Sequence, residues 1–403
     1  MRTINIKILF ALVLGTLLVF NSCKKGFDEF FNDQFPETNN MSDDMFIDGE
    51  LAVPILNTYF TLQNFIPSRD SSLWAEVDDD NLVHLRMFFK NIISLTTSDI
   101  YDWPIIIPVP ADSTSVSSDT NKLKVYDNAL SGHLFFNDPI FTFIVKNEIP
   151  VVTFFKIDTL RLHSPVFDTT YVRDDKKYYI NAPLTQFSQE TTEIIIDKTE
   201  IPDFETFFSP IPKFVSLYVT TGNDTPQTPL FPLVGNEKIA VDLDIDLPLD
   251  ARLEDFVLGK TINFPLDTSM NVEQIENITI KMIFDNEFPV EGLTQVEFAD
   301  TNNHGEIDEV IMTLFDGDGW VFESSITDPN GETTSSVRSE VTIVLSQSDV
   351  EMLVTHHASK LIITSKLNSY QSGTGQDIKI FGWYRLGIKL GFKITYTANT
   401  GNI

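Results

Sequence analysis

Two short segments constrain this chain more than any other feature. Phe143-Ile144-Val145-Lys146-Asn147-Glu148-Ile149-Pro150-Val151 and Met282-Ile283-Phe284-Asp285-Asn286-Glu287-Phe288-Pro289-Val290 share an apolar run, an Asn-Glu-x-Pro step and a valine after the proline. Self-similarity at a distance is the mark of a repeated structural unit, and missing it would misassign the whole fold. Similar elements follow both segments in the same order. Thr192–Ile196 answers Ser339–Ile343 as a strand, and Asp203–Phe208 answers Asp349–Val354 as an N-capped helical turn. Phe214–Val219 answers Leu361–Ser365, and each half closes on an alternating run, Ile239–Leu249 and Ile378–Thr397. The expectation is an internal duplication.

Each half is a series of short runs rich in Val, Ile, Phe, Tyr and Thr, separated by turn clusters, with at most one short helix. That spacing predicts a β-sandwich or barrel per half, and no alternation of strand with long helix argues for a doubly wound or TIM architecture. In each Asn-Glu-x-Pro segment the proline removes a ladder donor, so it ends a strand or lies on an edge. The expected fold class is therefore all-β, mainly β with short helices, as tandem β-sandwich-like domains. The boundaries read as a leader over 1–22, a tether over 23–47, an N-terminal β-rich unit over 48–125, and β-sandwich-like domains over 126–262 and 263–403. The polar, low-complexity stretch Ala111–Thr120 sets the first division inside the folded part. Leu73–Val77, Asp78-Asp79-Asp80-Asn81 and Leu82–Leu85 read as strand, turn and strand; the three aspartates suit calcium less well than a solvated hairpin tip.

At 403 residues and 42% hydrophobic, the chain can bury a core large enough to fold. It carries 58 acidic against 28 basic side chains, a formal charge of −30. Nucleic-acid affinity rests on cations neutralising phosphates, so no nucleic-acid partner is expected. The same charge opposes docking on anionic lipid. A single cysteine excludes a disulfide framework and any multi-thiolate metal site within one chain.

That cysteine has a telling position. Arg2 and Lys7 precede an apolar run from Ile8 to Phe20, which ends in Asn21-Ser22-Cys23. Cations, a short apolar stretch and a small residue make a secretory signal peptide, and the run is too short to span a bilayer core of about 20 residues. The Phe20-Asn21-Ser22-Cys23 step resembles a bacterial lipobox, whose cysteine is acylated and begins the mature chain; the alternative is an ordinary secretory signal with a free thiol. After it, Lys24-Lys25-Gly26-Phe27-Asp28-Glu29 resembles lipoproteins of the Bacteroidota, in which acidic residues soon after the cysteine accompany export to the cell surface. The layout of lipobox-like cysteine, acidic tether and tandem β domains resembles Bacteroidota outer-membrane lipoproteins of unassigned function. The resemblance implies an outer-membrane, lipid-anchored location, the surface side favoured over the periplasmic side. It further implies outer-membrane lipid held through Cys23, with an outer-membrane protein as partner.

Catalytic motifs are absent from the sequence. No Gly-x-Ser-x-Gly elbow, His-Glu-x-x-His helix or Cys-x-x-Cys pair occurs. Leu258-Gly259-Lys260-Thr261 ends like a phosphate loop, but Glu254 stands where that motif needs glycine and Asp255 would repel phosphate. The adjacent His356 and His357 would point about 100° apart on a helix, a poor arrangement for one metal but a favourable one at a helix end. The chain is expected to be non-catalytic.

Three binding features are legible. Asp300, Asn302 and Asp308 fall at positions one, three and nine of a calcium-like loop with Gly305 at its turn; His304 and Ile311 depart from that pattern, and a hairpin turn explains the same residues. Calcium is thus the one cofactor with any support. Tyr101 and Trp103 form the best aromatic pair for glycan contact among segments holding Trp74, Trp103, Trp320 and Trp383, the alternative for each being strand packing. Asp158-Thr159-Leu160 resembles the O-glycosylation pattern of Bacteroidota envelope proteins, which would modify Thr159. The function expected first is an accessory subunit of an outer-membrane complex for secretion, uptake or assembly, and second a surface glycan-binding lipoprotein.

Overall fold

The computed structural model describes residues 49–61, 73–102, 107–165, 170–172, 176–201, 203–264, 272, 275–302, 305–315, 317 and 319–396. Cys23, the tether, Trp103 and His304 lie outside the described residues. The architecture is mainly antiparallel β with short helices, in two compact units.

Chain order does not follow unit order. Strand β1 (Gly49–Phe60) belongs to unit 1. The chain then builds unit 2 from β2 (Leu73–Val77), β3 (Val83–Thr96), α1 (Thr97–Ile100), β4 (Asp112–Ser117), β5 (Asn121–Lys122), β6 (Ala129–Phe136, of which Ala129 and Leu130 belong to unit 1), β7 (Ile140–Asn147), β8 (Thr153–His163), β9 (Thr170–Val172), β10 (Lys177–Ile180), β11 (Glu190–Ile196), β12 (Phe214–Asn223) and β13 (Lys238–Pro248). It returns to unit 1 within β14 (Asp250–Asn263) and completes it with β15 (Ile275–Asn286), β16 (Val290–Thr301), β17 (Ile307–Thr313), β18 (Trp320–Phe322), β19 (Ile326–Thr327), β20 (Thr333–Ser335), β21 (Val337–Ser346), α2 (Gln347–Thr355), β22 (Lys360–Ser369), β23 (Ile378–Lys379) and β24 (Leu386–Tyr396). Unit 2 is thus spliced into unit 1 between its first and second strands.

The two units share one strand order. In unit 2 one sheet runs β11-β7-β13-β3-β2 and the other β10-β8-β12-β4. In unit 1 the corresponding orders are β21-β15-β24-β1 and β17-β16-β22-β14, with β23 beyond β14. In unit 2 the chain alternates between sheets, β3 to β4 to β7 to β8, stays for β10, then alternates again through β11, β12 and β13. Unit 1 repeats the path. Eight strands wound this way form a jelly roll, two sheets with Greek-key connections that bury one face of each sheet.

Local chemistry explains the elements. β7 alternates buried and half-buried residues along its whole length, as a strand with one face on a core must. Phe141, Phe143, Phe155, Phe204 and Phe208 fill the interior of unit 2, and the Phe141 and Phe204 rings lie 5.2 Å apart. Phe264, Ile278, Ile280, Val296, Phe298 and Leu361 do the same in unit 1. α2 starts at a capping box: Ser346 accepts from the Asp349 backbone N–H while the Asp349 carboxylate accepts from the Ser346 N–H at 2.7 Å. Asp349 is therefore its third residue, not its cap, and His356 and His357 close the helix at its C-terminal end.

Three expectations about boundaries are corrected. Residues 48–125 do not make a unit of their own: β1 pairs with β24, Gly49 opposite Tyr396, whereas β3 pairs with β13, Lys238 opposite Thr96. The division expected at 262/263 falls instead at 252/253, inside β14. The polar Ala111–Thr120 stretch is not a linker; it supplies β4, hydrogen-bonded to β12 with Tyr218 opposite Ser117. An edge strand tolerates polar side chains, so its composition imitates that of a linker. Leu258–Thr261 is extended within β14 and pairs with β22, a geometry with no phosphate cradle.

Candidate functional site

The recurring Asn-Glu-x-Pro segments are built for anchoring. Asn147 is buried; its Nδ2 donates to the carbonyls of Ile149 at 3.2 Å, Val151 at 3.4 Å and Asn181 at 3.0 Å, and its Oδ1 accepts from the Ile149 N–H at 2.9 Å. Asn286 repeats this: Nδ2 donates to Val290 and Glu323 carbonyls at 3.0 and 2.9 Å, and Oδ1 accepts from Phe288 N–H at 2.9 Å. Each amide caps the bend between two strands and pins a distant loop, so the motif's polar groups are spent on structure.

The densest polar cluster lies on the outward side of the β2-β3-β13 surface of unit 2. His84 Nδ1 is 2.8 Å from Asp246 and Nε2 is 3.2 Å from Asp78, while Arg86 donates to Asp244 at 2.8 Å and Asp246 at 3.2 Å. An imidazole facing carboxylates through both nitrogens satisfies them only when doubly protonated. The Asp246 hydrogen bond raises the His84 pKa above its ordinary value, burial opposes that rise, and Asp78 adds to it. With both nitrogens occupied, His84 is an ionic clasp between the Asp78 turn and β13 rather than a free base. Asp78 also accepts from the Leu82 N–H, and Asn81 has positive φ, which makes the three-aspartate run a hairpin tip.

Aromatic chemistry is concentrated elsewhere. Trp383 is 50% exposed; one face stacks on the buried Phe381 ring at 4.6 Å and 3°, and Tyr384 meets its edge at 87°. Tyr384 in turn accepts the Thr333 N–H at 2.7 Å through its hydroxyl. The result is a fixed, half-exposed indole, a surface of the kind that receives the C–H face of a sugar ring.

The residues singled out by sequence are not brought together. Tyr101 is corrected as a glycan platform: its ring is 2% exposed, because its N–H bonds to the Thr97 carbonyl and turns the side chain inward. Burial, with Asp112 nearby, pushes its phenol pKa up. Its expected companion Trp103 lies outside the described residues. Asp300, Asn302 and Asp308 span the β16–β17 hairpin. There Asp300 accepts from the Thr301 N–H at 2.6 Å, and the Asn302 amide accepts from Glu306 N–H at 3.0 Å. Among the described residues no group of three or more His, Cys, Asp or Glu is placed to hold a metal ion. Thr159 sits in mid-strand in β8 opposite Tyr218, half-buried at a bulge. Trp320 packs on Phe284 at 4.8 Å, and Trp383 is the platform that pairing by sequence proximity passed over.

No protein-family model matches the chain, and no curated protein matches it in sequence. Among solved structures it is similar to a protein described as secreted from the Bacteroidota species Parabacteroides distasonis, at 9% identity over 86% of this chain and 99% of that one, with a TM-score of 0.37. It is similar at 6% identity to a structure of infectious bursal disease virus, covering 79% of this chain and 43% of that one, TM-score 0.23. A third is the CBM22-1-CBM22-2 tandem domain of Paenibacillus barcinonensis Xyn10C, 7% identical over 85% and 98% of the chains, TM-score 0.17. All three overlaps are loose, and the jelly-roll assignment stands on the strand order alone. No helix among the described residues is long and apolar enough to cross a membrane.

Proposed function

We propose that this protein is a non-catalytic lipoprotein of the bacterial outer membrane, anchored through acylated Cys23, facing the cell surface and serving as an accessory subunit of an outer-membrane protein complex. The observation that supports it most is the character of the sheet edges in unit 1. β21 and β17 each end their sheet's strand order, and they carry exposed Val344, Ile307 and Val310. Charged residues lie on the same strands, Asp308 and Glu309 on β17 and Arg338 and Glu340 on β21, but the exposed Val and Ile side chains beside unpaired edge backbone leave each edge a place where a partner can pack. The test is purification of a tagged full-length copy from mildly solubilised outer membranes, with quantitation of what comes along. The expected result is a membrane protein in fixed ratio, lost in a Val344→Lys/Ile307→Lys variant. A wild-type chain that arrives alone would contradict the proposal.

A second reading, a surface glycan-binding lipoprotein, is favoured by the Trp383 platform. Titration calorimetry against a panel of neutral polysaccharides tests it: binding abolished by Trp383→Ala supports it, and no heat with any glycan removes it.

A further inference from the structure

The segment between β10 and β11, Asn181 to Gln189, carries no charge, and its tip presents Leu184 and Phe187 at 86% and 87% exposure. These side chains are held out by construction. At the base, the Asn181 carbonyl is pinned by the Asn147 amide at 3.0 Å, and Ala182 and Pro183 are buried. At the tip, the Ser188 N–H donates to the Thr185 carbonyl at 3.2 Å and the Ser188 hydroxyl donates to the same oxygen at 2.6 Å, closing a turn. Within that turn Phe187 takes φ +65°, a conformation costly for a bulky residue. Folding gains nothing from a strained, fully solvated phenylalanine.

Groups of decreasing polarity lead to the tip. Lys177 pairs with Asp224 and lies over the Phe154 ring, and Lys176 pairs with Glu200 at 3.2 Å. Next, Tyr179 is exposed, with its hydroxyl donating to Asp224 at 2.8 Å. Beyond it come the uncharged loop and the two apolar side chains. Cation, amphipathic ring and apolar tip is the order of polarity from headgroup to acyl chain. The corresponding loop of unit 1, between β18 and β21, instead forms the β19–β20 hairpin with Asp328, Asn330 and Glu332. The tip of that loop is therefore charged where the tip in unit 2 is apolar.

We propose that the Leu184–Phe187 loop inserts into the interfacial layer of a lipid bilayer. The inference is separate from the subunit reading and from acylation of Cys23, and its test isolates it from both. A Cys23→Ala chain produced without residues 1–22, which has neither an acyl chain nor the apolar leader, is floated with phosphatidylcholine vesicles, beside a Cys23→Ala/Leu184→Ser/Phe187→Ser chain produced the same way. The expected result is flotation that persists in high salt, weakens as phosphatidylglycerol is added because the chain is acidic, and falls by about tenfold or more in the triple variant. In a Phe187→Trp version, the emission added to that of the four native tryptophans should shift to the blue and be quenched by brominated lipid. Absence of flotation, or flotation unaffected by the serine substitutions, overturns the proposal. So does concentration-dependent dimerisation that the same substitutions abolish, since the tip would then dock on a second copy.

Discussion

Asn147 and Asn286 do the same work at the same place in two copies of one fold. Each is buried at the end of a strand, accepts the N–H two residues on, and donates to the carbonyl of a loop far along the chain. Replacing either by alanine strands buried backbone groups, at a cost of about 1–3 kcal/mol. Asn147→Ala should lower the urea midpoint of unit 2 and Asn286→Ala that of unit 1. Equal midpoints for wild type and variants would show that the amides are incidental.

His84 makes unit 2 sensitive to pH. The Asp246 hydrogen bond holds its folded pKa above the ordinary value, so its contribution is complete below the unfolded pKa near 6.5 and is lost as pH rises through the folded one. Urea midpoints measured between about pH 6 and 8 should fall with rising pH in the wild type, and His84→Gln should flatten that slope. Identical slopes would remove His84 as the cause.

Asp242 is a buried carboxylate whose charge is offset by Lys146, and whose Oδ1 accepts the Asn91 N–H at 2.8 Å in the β3 bulge. Lys146→Met should destabilise unit 2 by about 3 kcal/mol, since it leaves a charge buried without its partner. Adding Asp242→Asn should recover most of that loss, because the amide oxygen can still accept from Asn91. A double variant no better than the single would argue that packing of the lysine stem, not charge, is what matters.

Much of this architecture is legible in the sequence, for identifiable reasons. The Asn-Glu-x-Pro repeat marks the same bend in both units because each needs the same amide there, and alternation in β7 and β21 reports strands with one buried face. The nesting is not legible. β1 looks like any strand, and nothing near Gly49 says that its partner lies at Tyr396. Pro54 hints at an edge position, and the structure puts it beside a bulge in that edge strand. Tyr101 misled because an aromatic beside polar residues reads as exposed, whereas the Thr97 turn carries it inward. Leu184 and Phe187 escaped notice because two apolar residues in a polar loop make no periodic signal; only their exposure reveals them.

The subunit account is tested most directly by native electrophoresis of gently solubilised outer membranes, blotted for this chain. It predicts one band well above 45.7 kDa that contains a second membrane protein in fixed proportion, and that collapses to the free chain in the Val344→Lys/Ile307→Lys variant. Migration of the wild-type chain at its own mass would contradict it.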